Sequence, residues 1–110
     1  MDKIVNRSWR LVSRPMREEP AGPHNFRLVE SEIAGPAEGQ ALVRHRFLSL
    51  DPYMRGRMND GKSYAQPQRL DETMVGGTVG DVIASRHPRF REGDKVVGMG
   101  GWQLYSLSDG

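Results

Sequence analysis

A chain of 110 residues has room for one small domain and not two. It contains no cysteine, which excludes disulfides and thiolate metal sites, and its 13 glycines and 7 prolines call for many turns and a β-rich architecture. The net charge is only +2, and basic residues such as Arg7, Arg10, Arg14, Arg17 and Arg27 are scattered instead of gathered on a stripe, so nucleic acid is not an expected partner.

The opening residues, Met1 to Arg7, lack the apolar run of a signal peptide, and no stretch is long and apolar enough for a transmembrane helix. A cytoplasmic protein without a membrane partner is expected. Asn6 to Leu11 alternates as a strand, with Val5, Trp9 and Leu11 expected on one face and Arg10 on the other. Pro15, Pro20, Gly22 and Pro23 mark a loop, after which Phe26 to Ile33 alternates again. Gln40 to Leu50 reads as the clearest strand, with Ala41, Val43, His45 and Phe47 facing the core and Arg44 and Arg46 facing water.

Asp51-Pro52 ends that strand and begins a short helical turn expected from Pro52 to Met58. Asp51 suits the N-cap and Pro52 the first helical position, whose N–H is unneeded, and Asp51 is spaced to meet Arg55. Asn59 to Glu72, with Asp60-Gly61 and Pro67, reads as irregular. Val75 to Ser85 is a glycine-rich strand whose Gly76, Gly77 and Gly80 allow close backbone approach. Glu92-Gly93-Asp94 makes a tight turn into the strand Lys95 to Gly98, and Trp102 to Leu107 is a last apolar piece. Such short strands, punctuated by glycine and proline, imply a small β-barrel or sandwich. The chain stops at Ser108-Asp109-Gly110, straight after a strand, so a partner domain is expected beyond it.

Chemistry-bearing patterns are few. His24, His45 and His87 share no metal-ligand spacing, and His45 reads as a packed or hydrogen-bonded core histidine. No Gly-x-Ser-x-Gly elbow is present, and Ser31, Ser49 and Ser63 have no activating context. Gly76-Gly77-Thr78-Val79-Gly80 has the wrong glycine spacing for a dinucleotide fingerprint. What remains is the capped turn, where Tyr53 either packs or presents its hydroxyl to a cleft.

Asp51-Pro52-Tyr53-Met54-Arg55-Gly56-Arg57-Met58 resembles the signature of the zinc-independent medium-chain dehydrogenases/reductases, the family of leukotriene B4 dehydrogenase, prostaglandin reductase, plant alkenal reductases and curcumin-reductase-like proteins. Met74 to Gly80, Phe90 to Val96, Gly101 to Ser106 and the opening Asn6-Arg7-Ser8-Trp9 are similar to further family segments in the same order, so the likeness covers nearly the whole chain. Family members are much longer, and their second half is a Rossmann domain that holds NADPH. The resemblance therefore implies that residues 1–110 form the GroES-like N-terminal domain, a mainly β distorted barrel with short helical turns. The rest of the cofactor site would lie outside the chain.

It further implies an NADPH-dependent oxidoreductase that delivers hydride to the C=C bond of α,β-unsaturated aldehydes or ketones, with the full-length parent a homodimer and the domain alone inactive. Tyr53 would be the catalytic residue, lining the cleft beside nicotinamide and substrate, with Pro52 and Met54 as neighbours in cofactor binding. No metal is implied: zinc-dependent relatives carry a Cys before the turn and Gly-His-Glu further on, where this chain has Leu48-Ser49-Leu50-Asp51 and Gly76-Gly77-Thr78. Some plant members have a substrate-facing tyrosine where Gly77 stands. A stand-alone barrel acting as a protein-interaction module is the competing expectation, but such a module has no need of a cleft tyrosine on a capped turn.

Overall fold

A computed structural model describes residues 4–16, 19–59 and 67–110. Ser63 and the Asp60-Gly61 pair lie outside the described residues. Seven strands and one short helix follow in chain order: β1 (Ile4–Leu11), β2 (Phe26–Ile33), β3 (Ala41–Leu48), α1 (Tyr53–Arg57), β4 (Glu72–Thr73), β5 (Thr78–Ser85), β6 (Lys95–Gly98) and β7 (Tyr105–Ser108). They form two antiparallel sheets, β2-β1-β4 and β6-β5-β3-β7. Among the described residues these sheets do not close into a barrel. The architecture is mainly β, with the distortion of a GroES-like domain carried to an open pair of sheets. Among the described residues no helix is long and apolar enough to cross a membrane.

The segment just before β7 joins the sheets. Leu104 N–H donates to Arg7 O (3.0 Å) on β1, while Leu104 O accepts from His45 N–H (2.8 Å) on β3. One residue earlier, Gln103 bridges to Ser8. This seam inverts the expected face over residues 5–9 of β1, while Leu11 at its end is buried in the core. Asn6 and Ser8 are buried, whereas Val5 and Trp9 are 53% and 44% exposed. The reason is hydrogen bonding: Asn6 Nδ2 donates to Gln103 Oε1 (2.9 Å), and Asn6 Oδ1 accepts from Tyr105 N–H (3.0 Å). A buried amide with both ends satisfied is tolerated where the apolar pattern alone would place a hydrophobe.

Two cores result. One gathers Leu11, Met54, Met58 and Met74, with Phe26, Tyr53 and Trp102 against it. Phe26 and Trp102 stack with ring centroids 5.3 Å apart. The other, inside the four-stranded sheet, gathers Ala41, Val43 and Val82, covered by Phe90 and Val96.

The pairing of β3 with β5 is irregular twice. The register jumps between Leu42 and Val43 and again between His45 and Phe47, leaving Arg46 as an extra residue. A bulge of this kind bends its strand and re-aims side chains. Arg46 reaches Asp81 on β5 (Nε to Oδ2, 2.7 Å), which Lys95 on β6 also grips, so one carboxylate ties three neighbouring strands. Lys95 first, and then Arg46, hold the Asp81 carboxyl below the usual carboxylate range. Phe47, expected to face the core, is instead 72% exposed beyond the bulge.

The other expected strands appear with trimmed or shifted ends. Strand β2 and strand β6 match, the turn at Gly93 has a left-handed φ of 93°, and the glycine-rich strand begins at Thr78 instead of Val75. The short β4, inside the segment read as irregular, was not expected. Buried Gln68 staples that stretch: its Nε2 donates to Arg69 O and Thr73 O (both 3.1 Å), and its Oε1 accepts from Val75 N–H (3.0 Å).

Candidate active site

Helix α1 spans a single turn and follows β3 after a short connection. Nothing in so short a helix is self-supporting, so tertiary contacts must hold it. Met54 and Met58 are buried at 3% and 4% exposure in the first core. Arg55, one of the arginines that composition alone reads as solvated surface, is a strut. Its Nε and Nη2 donate to Glu19 O (2.9 and 2.6 Å), Nη2 also to Met16 O (2.8 Å), and Nη1 to Asn59 Oδ1 (2.8 Å). Arg14 Nη1 donates to Met58 O (3.0 Å) at the helix C-terminus.

Asp51 does not cap this helix with its side chain. The residue before the helix is Pro52, itself helical, with no side-chain cap. Asp51 Oδ2 instead accepts from Ser49 Oγ (2.7 Å), and Asp51 O accepts from Met54 N–H (3.1 Å). The expected partner of Asp51, Arg55, is spent on the loop carbonyls. Ser49 N–H donates to Gly77 O (2.8 Å), which joins the turn to the start of β5.

Of the site residues expected from sequence, Pro52 is exposed, Tyr53 half-buried against the first core, and Met54 buried within it. Tyr53 and Pro52 thus present surface, while the Met54 side chain anchors the turn. Leu50, 72% exposed just before the turn, was not singled out from sequence. At Gly77 a Cβ would make only ordinary contacts, 3.9 Å from Ser49 Cβ and from Gly98 O, and 4.0 Å from Met99 Sδ.

A cavity of about 600 Å³ lies elsewhere, over the second core. Its walls include Val43, Val82, Phe90, Met99, His45 and Ser106, and Tyr53 does not line it. His45, read from sequence as a packed or hydrogen-bonded core histidine, is that. Its Nδ1 lies 2.8 Å from Gln103 O and its Nε2 2.8 Å from Ser106 Oγ. A carbonyl only accepts, so Nδ1 carries the proton, and in the neutral ring Nε2 accepts from the serine hydroxyl. Burial pushes the His45 pKa below its ordinary value, opposed more weakly by the Gln103 carbonyl.

The sign follows from linkage. With the folded pKa below the unfolded one, His45 costs nothing at neutral pH. As pH falls through the ordinary imidazole value of 6.5, the unfolded chain takes up a proton that the folded chain resists, and stability drops. Urea midpoints should therefore fall between pH ~7.5 and ~5.5, and part of that fall should vanish in His45→Gln. An identical pH dependence in the variant would remove His45 from this role.

Among the described residues no three His, Asp or Glu side chains converge as a metal site. The described residues present one exposed surface here: a braced turn with Tyr53 and Pro52 accessible beside apolar Leu50.

Residues 7–110 match the family of N-terminal domains of oxidoreductases. The chain is 53% identical over 108 residues to the NADPH-dependent curcumin reductase of Escherichia coli, covering 98% of this chain and 31% of that protein. It is 40% identical over 67 residues to the NADP(+)-dependent 2-alkenal reductase of Nicotiana tabacum, covering 60% of this chain and 20% of the relative. The crystal structure of CurA from Vibrio vulnificus superposes with a TM-score of 0.90 at 53% identity over 96% of this chain and 30% of that one, and its NADPH complex with 0.88 at 52% identity over 94% and 30%. The chain thus spans less than a third of the length of these relatives. With the family matched from β1 to the last residue, and the two sheets superposing on CurA, the chain belongs to the oxidoreductase N-terminal domains of the curcumin-reductase group, a GroES-like domain of the medium-chain dehydrogenases/reductases.

Proposed function

We propose that this chain is the substrate-side domain of a longer NADPH-dependent reductase acting on the C=C bond of α,β-unsaturated aldehydes or ketones. The observation that carries the reading is the placement of Tyr53: half-buried on a turn fixed by Met54, Met58, Arg14 and Arg55, next to exposed Pro52 and Leu50. The activities of the relatives, curcumin reductase and 2-alkenal reductase, suggest the reaction class.

NADPH, when bound, supplies the hydride that adds to the β-carbon. The π electrons move onto the carbonyl oxygen, and the enolate then takes a proton at its α-carbon to give the saturated carbonyl. The chain's own part is to hold the enone so that its oxygen meets a donor where negative charge develops. Tyr53 O–H would be that donor, and Pro52, with Met54 anchoring the turn, would form part of the wall beside the nicotinamide. The reaction as proposed uses no zinc. The NADPH phosphates fall to a Rossmann domain of the full-length protein, which the same reading takes as a cytoplasmic homodimer.

The test is NADPH oxidation with a simple enone by the full-length enzyme, wild type against Tyr53→Phe. The ring that packs on the first core is retained, so folding is unaffected, and kcat should fall about 100-fold. Unchanged kcat would reduce Tyr53 to a packing residue, and no turnover of any enone by the wild type would overturn the reaction class.

A further inference from the structure

The turn that carries Tyr53 is not the only element facing Gly77. Across from it lies Met99, in the run Gly98-Met99-Gly100-Gly101. The backbone on both sides of Met99 is pinned. Gly98 ends β6 in register with Thr78, Gly100 N–H donates to Thr78 Oγ1 (3.1 Å), and Gly101 N–H donates to Gly76 O (3.1 Å). The side chain is free: Met99 is 62% exposed. Gly77 forms the floor between them, since a Cβ on it would meet Ser49 at 3.9 Å and Met99 Sδ at 4.0 Å. Ser49 in turn holds Asp51 and the Gly77 carbonyl, so the connection leading into the Tyr53 turn lies on one side of Gly77 and Met99, which also lines the cavity over the second core, on the other.

We propose that Met99 is the adaptable wall of the substrate cleft and sets how bulky a β-substituent the enone carries. This rests on the reading of the domain as the substrate side of an enone reductase. The chemistry fits the position. A methionine is unbranched, polarizable and rotatable, so on a fixed backbone it fills the space beside a small substrate and swings aside for a large one. Gly77, just before β5, leaves that movement room that a larger side chain there would occupy.

The experiment compares kcat/KM of the full-length enzyme for methyl vinyl ketone and benzylideneacetone, in wild type, Met99→Phe, Met99→Ala and Met99→Leu. Met99→Phe should lower kcat/KM for benzylideneacetone about 10-fold while leaving methyl vinyl ketone within about 2-fold. Met99→Ala should shift the ratio the other way, and Met99→Leu, which conserves volume, should keep the wild-type ratio. Because Met99 is exposed, all three variants should retain the wild-type melting temperature, which checks that lost activity is not lost fold. If wild type reduces both enones and the ratio is the same in every variant, the Met99 assignment fails and the enone-reductase reading stands. If wild type reduces neither, both fail together.

Discussion

Gly80→Ala is expected to lower stability by about 3 kcal/mol, a large share of what a domain this size has to lose. A Cβ at Gly80 would lie 2.3 Å from the Arg44 carbonyl oxygen and 2.9 Å from Val43 Cγ1. The first of these is backbone, paired in the sheet, and it cannot rotate away as a side-chain tip does. The close approach exists because β3 carries its extra residue, Arg46, directly after the His45–Gly80 pair. Forcing β3 and β5 apart would disturb both consequences of the bulge at once: the Arg46–Asp81–Lys95 clasp on one face and the His45 bonds to Gln103 and Ser106 on the other. Thermal unfolding of the variant should show a fall in Tm of roughly 10–20 °C. Gly77→Ala, whose Cβ meets only ordinary contacts, is the control and should change stability by less than about 0.5 kcal/mol. Equal effects at the two glycines would mean that strand crowding is not what Gly80 relieves.

Much of this was legible in the sequence because period and punctuation agree. Phe26 to Ile33 alternates between clear breakers, Lys95 to Gly98 follows the tight turn at Glu92-Gly93-Asp94, and both emerge as strands with those bounds. The short helix after Asp51-Pro52 also emerged, but its cause differs. Local capping chemistry pointed to it, whereas Arg14 and Arg55, distant in sequence from the carbonyls they hold, keep it in place. No one-dimensional pattern distinguishes an arginine that braces a turn from one that faces water. The bulge at Arg46 was likewise invisible, since it depends on which strand β3 pairs with and how closely. As to the site, Tyr53 was named through the Asp51–Met58 motif. Leu50 and Met99 were not, because the exposure of both, and the place of Met99 beside Gly77, come only from the folded arrangement.

Asn6 shows most directly why burial cannot be read from hydropathy, and it carries the second large prediction. Asn6→Ala should cost about 2–4 kcal/mol. The side chain is 3% exposed and serves both sheets at their seam, donating to Gln103 Oε1 and accepting from the Tyr105 amide. Removing it leaves a carbonyl and an N–H without partners in a closed space, and adds a small void. The neighbouring Val5, 53% exposed, is the more hydrophobic residue, yet Val5→Ala should cost less than about 0.5 kcal/mol. Hydrogen exchange gives the mechanism as well as the magnitude. In Asn6→Ala the Tyr105 amide should lose protection beyond what the fall in global stability accounts for, because its acceptor is gone. Asn6→Asp separates the two halves of the link: the acceptor for Tyr105 remains while the donor to Gln103 is lost and a charge enters the seam. It should therefore keep Tyr105 protected relative to the rest of the sheet while still lowering stability. If Val5→Ala were the more damaging substitution, the seam would be held by apolar packing on the outer face of β1, and the hydrogen bonds across it would be incidental.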